Sequence, residues 1–148
     1  MRRIPSVEVL MMLIMSASDL RGALPMSEAI EAAEYAYSVY SRGESATPLR
    51  TPVHTERGTT LVMPAHIAAD GTTGIKVVSV YEDNPQRQMP AVLGAMLLVD
   101  GEDGRPLALM DAGELTALRT GASAAVAARY LARPDAAAVA IIGAGAQA

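Results

Sequence analysis

Apolar and polar positions along this chain follow two periods in turn. A short apolar run from about Leu10 to Met15 is expected to form a first strand, after which Ser18-Asp19 can cap a short helical turn. A helix beginning at Ser27 follows. Its residues Ile30, Ala33, Tyr37 and Tyr40 recur at steps of three and four and form one apolar stripe. Glu28, Glu31 and Glu34 crowd its first half, where the helix dipole favours negative charge, and Arg42-Gly43 closes it with a cation and a C′ glycine.

From Pro48 the period shortens to two. Residues 52–55, 59–67, 74–81, 91–99 and 106–110 are short β-branched or apolar runs separated by turn signals at Glu56-Arg57-Gly58, Asp70-Gly71, Asn84-Pro85 and Asp100–Gly104. Their spacing predicts a mostly antiparallel meander. A second helix is expected over 111–133: Asp111 and Glu114 have capping-box spacing, Leu115, Leu118, Ala122, Ala125 and Val126 supply the apolar stripe, and Pro134 stops it. The run 137–142 is apolar without interruption, as in a strand buried on both faces, and is followed by a glycine loop. The expected class is therefore α+β with two main helices: a domain over 1–135, then the first strand and glycine loop of a second domain over 136–148.

Composition narrows the function classes. The chain has 148 residues, 51% of them hydrophobic, which supports a packed core and argues against disorder. It has no cysteine, which excludes disulfides, thiolate metal sites and cysteine nucleophiles. A net charge of -4 speaks against a nucleic-acid footprint, and aromatics are 3%, all tyrosine, too few for base stacking. Met1-Arg2-Arg3 and the apolar run after it imitate a signal peptide, but Pro5 and Glu8 interrupt the pattern. The run is also shorter than the ~20 residues of a membrane span. A loose tail before a strand, with no membrane association and a cytoplasmic location, is the expectation. The acidic loop near Asp100 lacks the alternating ligands of a calcium site, and His54 and His66 have no partner at metal-ligand spacing, so no metal is expected.

Three constellations could carry chemistry. Gly143, Gly145 and Ala148 follow the 137–142 run with the spacing of a dinucleotide fingerprint. There the first glycine makes the tight turn and the second lets backbone approach a pyrophosphate; an ordinary strand-to-helix turn is the plain alternative. All but one of the 12 basic residues are arginine, which singles out Lys76. Alternation puts Ile75 and Val77 on one face and Lys76 with Val78 and Val80 on the other, so the ammonium either snorkels from an edge strand or meets an anion in a half-buried pocket. Arg50, stiffened between Pro48 and Pro52, and Arg119, inside the second helix, either solvate a face or join Lys76 in a carboxylate clamp.

Taken in order, Pro48-Leu49-Arg50-Thr51, Leu61-Val62-Met63-Pro64, Gly74-Ile75-Lys76, Asn84-Pro85, Leu118-Arg119-Thr120 and Ile142–Ala148 resemble the ornithine cyclodeaminase/mu-crystallin family, with a match from Met11 to Ala148. The resemblance implies an N-terminal substrate-binding and dimerisation domain joined to a Rossmann domain that uses NAD or NADP. It implies that Arg50, Lys76, Arg119 and Met63 bind a small amino or imino acid and that Lys76 is catalytic. Arg119, Thr120, Gly143, Gly145, Ala146 and Gln147 would meet the cofactor, and the family's catalytic aspartate would lie beyond residue 148. The implied chemistry is hydride transfer at an amino acid's α-carbon. It serves ornithine cyclisation to proline with loss of ammonia, cyclic imine or ketimine reduction, or, alternatively, alanine dehydrogenation; a non-enzymatic ligand-binding and dimerisation module of the mu-crystallin kind is a further alternative. Leu61 stands where ornithine-cyclising members are expected to carry an acid, and Ala91 where a hydroxyl residue often meets the cofactor, which tilts the expectation toward a reductase or dehydrogenase. The 148 residues alone are expected to be inactive.

Overall fold

A computed structural model describes residues 11–143 and 145–147. Met1 to Leu10, which carry the signal-like start and the first residue of the opening strand, lie outside the described residues, as do Ala144 and Ala148.

Strand β1 (Leu13–Met15) leads into helix α1 (Ala17–Ala23), whose N-cap Ser16 accepts from the Asp19 backbone while the Asp19 side chain accepts in return from the Ser16 backbone. Helix α2 (Met26–Ser41) ends as its Arg42-Gly43 signal predicts. Gly43, at φ +71°, donates to the Tyr40 carbonyl and Glu44 donates to the Val39 carbonyl, which satisfies two otherwise orphaned acceptors. Next come β2 (Ser45–Ala46), β3 (Thr51–His54), β4 (Thr59–Ile67), β5 (Thr72–Val80), β6 (Val92–Asp100), β7 (Pro106–Asp111) and α3 (Ala112–Leu131). Asp111 caps α3, its side chain accepting from the Glu114 amide at 2.7 Å. The Asn84-Pro85 signal forms a 3-10 turn over Asn84–Arg87.

The strands form one 7-stranded sheet in the order β1-β7-β6-β5-β4-β2, with β3 also on β4. All pairs are antiparallel except β1 with β7. Helix α3 crosses the face that carries Lys76 and Met96. It approaches closest at Gly94, where a Cβ would lie 3.2 Å from that of Ala112 and 2.5 Å from the Val77 carbonyl oxygen. Leu20, Ala29, Val39, Ala108, Ala112, Ala122 and Val126 make the core; most are small, so the elements approach closely, and Val39 is the one large side chain completely enclosed among the described residues.

Two expectations need correction. The α2 stripe does not turn inward as a whole: Ala29 and Val39 are buried, whereas Tyr37 and Tyr40 are 52% and 63% exposed. Helix α3 packs against α2, with Glu34 clasped by Arg129 and Tyr130, while Tyr37 and Tyr40 stay in solvent. The run 137–142, expected as a doubly buried strand, pairs with no strand among the described residues, and Ile142 is 102% exposed. A strand of that kind needs neighbours on both edges and helices on both faces, and this chain's sheet offers it neither.

Candidate functional site

The outer edge of β4 has two partners and a gap between them. β3 pairs with Thr59 to Val62, and β2 pairs with His66 and Ile67. Met63, Pro64 and Ala65 have no partner on that edge, and Pro64 lacks the N–H that would extend a ladder. The segment 47–50, stiffened by Pro48, bows outward across the gap and walls a cleft of about 360 Å³. Its floor comes from the sheet. Met63, Lys76 and Met96 lie directly opposite one another on β4, β5 and β6, so their side chains share one face.

Arg50 lines the cleft with Lys76. Burial first, then the charges of Arg119 and Arg50, hold the Lys76 ammonium below the ordinary lysine range. The structure thus brings Arg50, Lys76 and Met63 into one cleft and puts Arg119, on α3, within electrostatic reach of the lysine. Arg21, Arg42, Arg105, Arg129 and Arg133 all pair with carboxylates. Neither Arg50, Lys76 nor Arg119 takes part in any ion pair among the described residues. Arg50 and Arg119 are solvent-exposed, so Lys76 is the one of the three that is half-buried, with two like charges near it and no carboxylate paired to it among the described residues.

A larger groove of about 690 Å³ runs between α2 and α3, lined by Glu31, Tyr35, Tyr37 and Tyr130 among others. Several of its polar groups are already engaged: Glu34 with Arg129 and Tyr130, Tyr35 with Asp70, Arg42 with Glu44. It lacks the converging unpaired charges of the smaller cleft, which is therefore the stronger candidate.

Thr120 follows Arg119 on α3, and its hydroxyl is buried without a hydrogen-bond partner among the described residues, as is that of Thr116 one turn earlier. Gly143 adopts φ +99°, a conformation glycine alone takes readily, and Ile141 to Gly143, Gly145 and Gln147 border an open hollow. None of Gly143, Gly145, Ala146 and Gln147 lines the Lys76 cleft. The histidines are held structurally: His54 Nδ1 lies 3.1 Å from Thr59 Oγ1, and His66 Nδ1 lies 2.9 Å from the Thr72 carbonyl oxygen.

Sequence reasoning missed Met96, Gly74, Ala65 and Thr116. Only the strand register sets Met96 beside Lys76, whereas Gly74 and Ala65 share a face with Lys76 and Met63 by the alternation of their own strands. Thr116 had a weak local signal, its four-residue spacing from Thr120 on one helix face.

A family profile described as the ornithine cyclodeaminase/mu-crystallin family matches residues 10–148. The chain is 39% identical over 139 residues to a delta(1)-pyrroline-2-carboxylate reductase of Bacillus cereus, covering 93% of this chain and 43% of that protein. Among solved structures, an archaeal alanine dehydrogenase dimer with bound NAD superposes with a TM-score of 0.86 at 38% identity, covering 92% of this chain and 42% of that one. The delta(1)-pyrroline-2-carboxylate reductase of Thermococcus litoralis, in complex with NADH and L-proline, gives 0.85 at 43% identity, covering 92% and 43%. The chain thus spans less than half the length of these relatives.

Proposed function

Because the chain belongs to the ornithine cyclodeaminase/mu-crystallin family, we propose that it is the substrate-binding part of a cytoplasmic oxidoreductase that transfers hydride between NAD or NADP and a small amino or imino acid. The observation that carries this reading is the half-buried Lys76, without a counter-charge among the described residues, beside Arg50 in a cleft of metabolite size and within electrostatic reach of Arg119. Pockets for small molecules run from roughly 300 to 1,000 Å³, and this one lies at the lower end.

The residues present fit a dinucleotide. The Thr120 hydroxyl is an orphaned buried donor beside Arg119, and Gly143, at φ +99°, has a backbone conformation that suits the first glycine of a phosphate-binding turn. Arg119, Thr120, Gly143, Gly145, Ala146 and Gln147 would hold it, and when bound its nicotinamide exchanges hydride with the substrate α-carbon.

The chain's own groups do the rest. The Arg50 guanidinium, presented by the stiff 47–50 segment, grips the substrate carboxylate with two parallel donors. Arg119 adds positive potential from the α3 side. Lys76, with its proton held less tightly than usual, donates to the imine nitrogen or keto oxygen as that atom gains electron density, and holds the proton in the reverse direction. Met63 presses on the substrate's apolar side and displaces water. For assembly we infer a homodimer formed through the sheet face opposite Lys76, where Val77 and Leu93 remain 37% and 45% exposed.

Lys76→Met in the full-length protein tests the reading. NADH- or NADPH-dependent reduction of delta(1)-pyrroline-2-carboxylate should lose about 100-fold or more in kcat/KM, the scale of a lost proton donor, with an unchanged circular dichroism spectrum. Turnover at the parent level in that variant overturns it.

A further inference from the structure

The cleft also constrains the part of the substrate remote from its carboxylate. Apart from Arg50 and Lys76 its side chains are uncharged, and the floor around the lysine is apolar, with Met63 and Met96 flanking it on β4 and β6 and Ala65 beyond on the same face. A substrate with a second ammonium would bring it among three cations with no carboxylate to receive it, losing hydration without compensation. Depth is limited as well. A Cβ at Gly74 would lie 2.9 Å from Met96 Cε, so the end of the methionine occupies the space above this glycine. Met96 is itself opposite Lys76 in the ladder, and its side chain leans over Gly74, two residues along β5 from the lysine.

Building on the carboxylate-clamp reading above, we propose that Met96, seated over Gly74, is the specificity-determining residue of the cleft and restricts it to imino or keto acids with short, uncharged side chains. The methionine is an unbranched, deformable stop, set by the glycine beneath it. Removing it deepens the cleft; placing a methyl group at position 74 pushes its end outward and makes the cleft shallower. The two changes act in opposite directions on substrate size, an outcome that general destabilisation does not produce.

The experiment measures kcat/KM of the full-length protein with NADH or NADPH on delta(1)-pyrroline-2-carboxylate and its six-membered ring homologue, and with the oxidised cofactors NAD or NADP on L-proline and on L-ornithine as the charged probe. Met96→Ala should raise the six- to five-membered ratio by about tenfold, the lower end of what one methylene is worth in an apolar pocket, and Gly74→Ala should lower it. L-Ornithine should be turned over at least about 100-fold less efficiently than the oxidation of L-proline. Ratios unchanged in both variants while turnover persists, or L-ornithine as the preferred substrate, overturn the role of Met96 and leave the clamp standing. Absence of turnover on every probe by the unmodified protein sinks the functional reading itself, and the proposal with it.

Discussion

Lys76 on strand β5 and Arg119 on helix α3 are separated in sequence by the end of β5, the whole of β6 and β7 and the first turns of α3, yet the guanidinium stands near enough to add to burial in weakening the lysine's hold on its proton. Two like charges brought together across a helix–sheet junction cost free energy in the empty protein. That cost is recovered when an anion arrives, so it favours ligand binding at the expense of stability.

The pH dependence follows from that arrangement. A carboxylate prefers protonated Lys76, so its affinity is full below the lysine's lowered pKa and declines as pH rises through it. The decline should begin below the ordinary lysine range, near pH 10.4, and binding in that window should take up a proton. Tetrahydrofuran-2-carboxylate, which has no titrating amine, is a suitable probe by calorimetry in buffers of different ionisation enthalpy. Affinity that stays flat up to pH 10 or so would contradict the arrangement. The sign for stability is opposite. The unfolded chain binds this proton more tightly than the folded one, so unliganded stability rises with pH between the two pKa values. Lys76→Met should therefore leave neutral-pH stability unchanged or slightly higher.

Asp111 connects fold and site. It caps the helix that carries Arg119 and Thr120, through the 2.7 Å bond from the Glu114 amide. Asp111→Ala should lower unfolding stability by about 1 kcal/mol, the usual value of an N-cap, measured by urea denaturation. The same variant should weaken carboxylate binding, because the first turns of α3 hold Arg119 in place. A loss of stability with anion affinity fully retained would separate the two roles.

The bare face of the sheet makes a prediction about assembly. Val77 is 37% exposed on the side away from α3, and Leu93 on the next strand is 45% exposed. Val77→Glu buries a charge if that face is the contact between copies, and should weaken self-association about tenfold or more by sedimentation. An unchanged dimer constant would move the interface elsewhere.

Much of the architecture was legible because its signals are local. The 59–67 run became β4 over the same residues, bounded by the turns read on either side. The Ser27 helix formed one residue earlier than expected, and Asp111 capped α3 as its spacing implied. Side chains two to four positions apart meet within one element whatever the rest of the chain does, so periodicity, caps and turns are written in the sequence. Arg50, Lys76 and Arg119 stood out on the same terms, as cations in stiffened, apolar or helical settings, although only Lys76 is half-buried and both arginines are exposed.

The partners of these residues were decided elsewhere. That β4 loses its edge partner at Met63 to Ala65, that Met96 rather than another residue faces Lys76, and that Tyr37 and Tyr40 turn to solvent all depend on which distant segments pack together. Strand register slips in steps that reverse every side chain, and the winning register is the one whose summed burial over the whole sheet is best. The run 137–142 shows the same principle from the other side: its apolar sequence asks for a sheet, but a ladder needs partners, and no local pattern supplies them. Sequence alone set the elements and the charged groups; that Arg50 and Lys76 line one small cleft with Arg119 within electrostatic reach came from the sheet register and the lie of α3 across it.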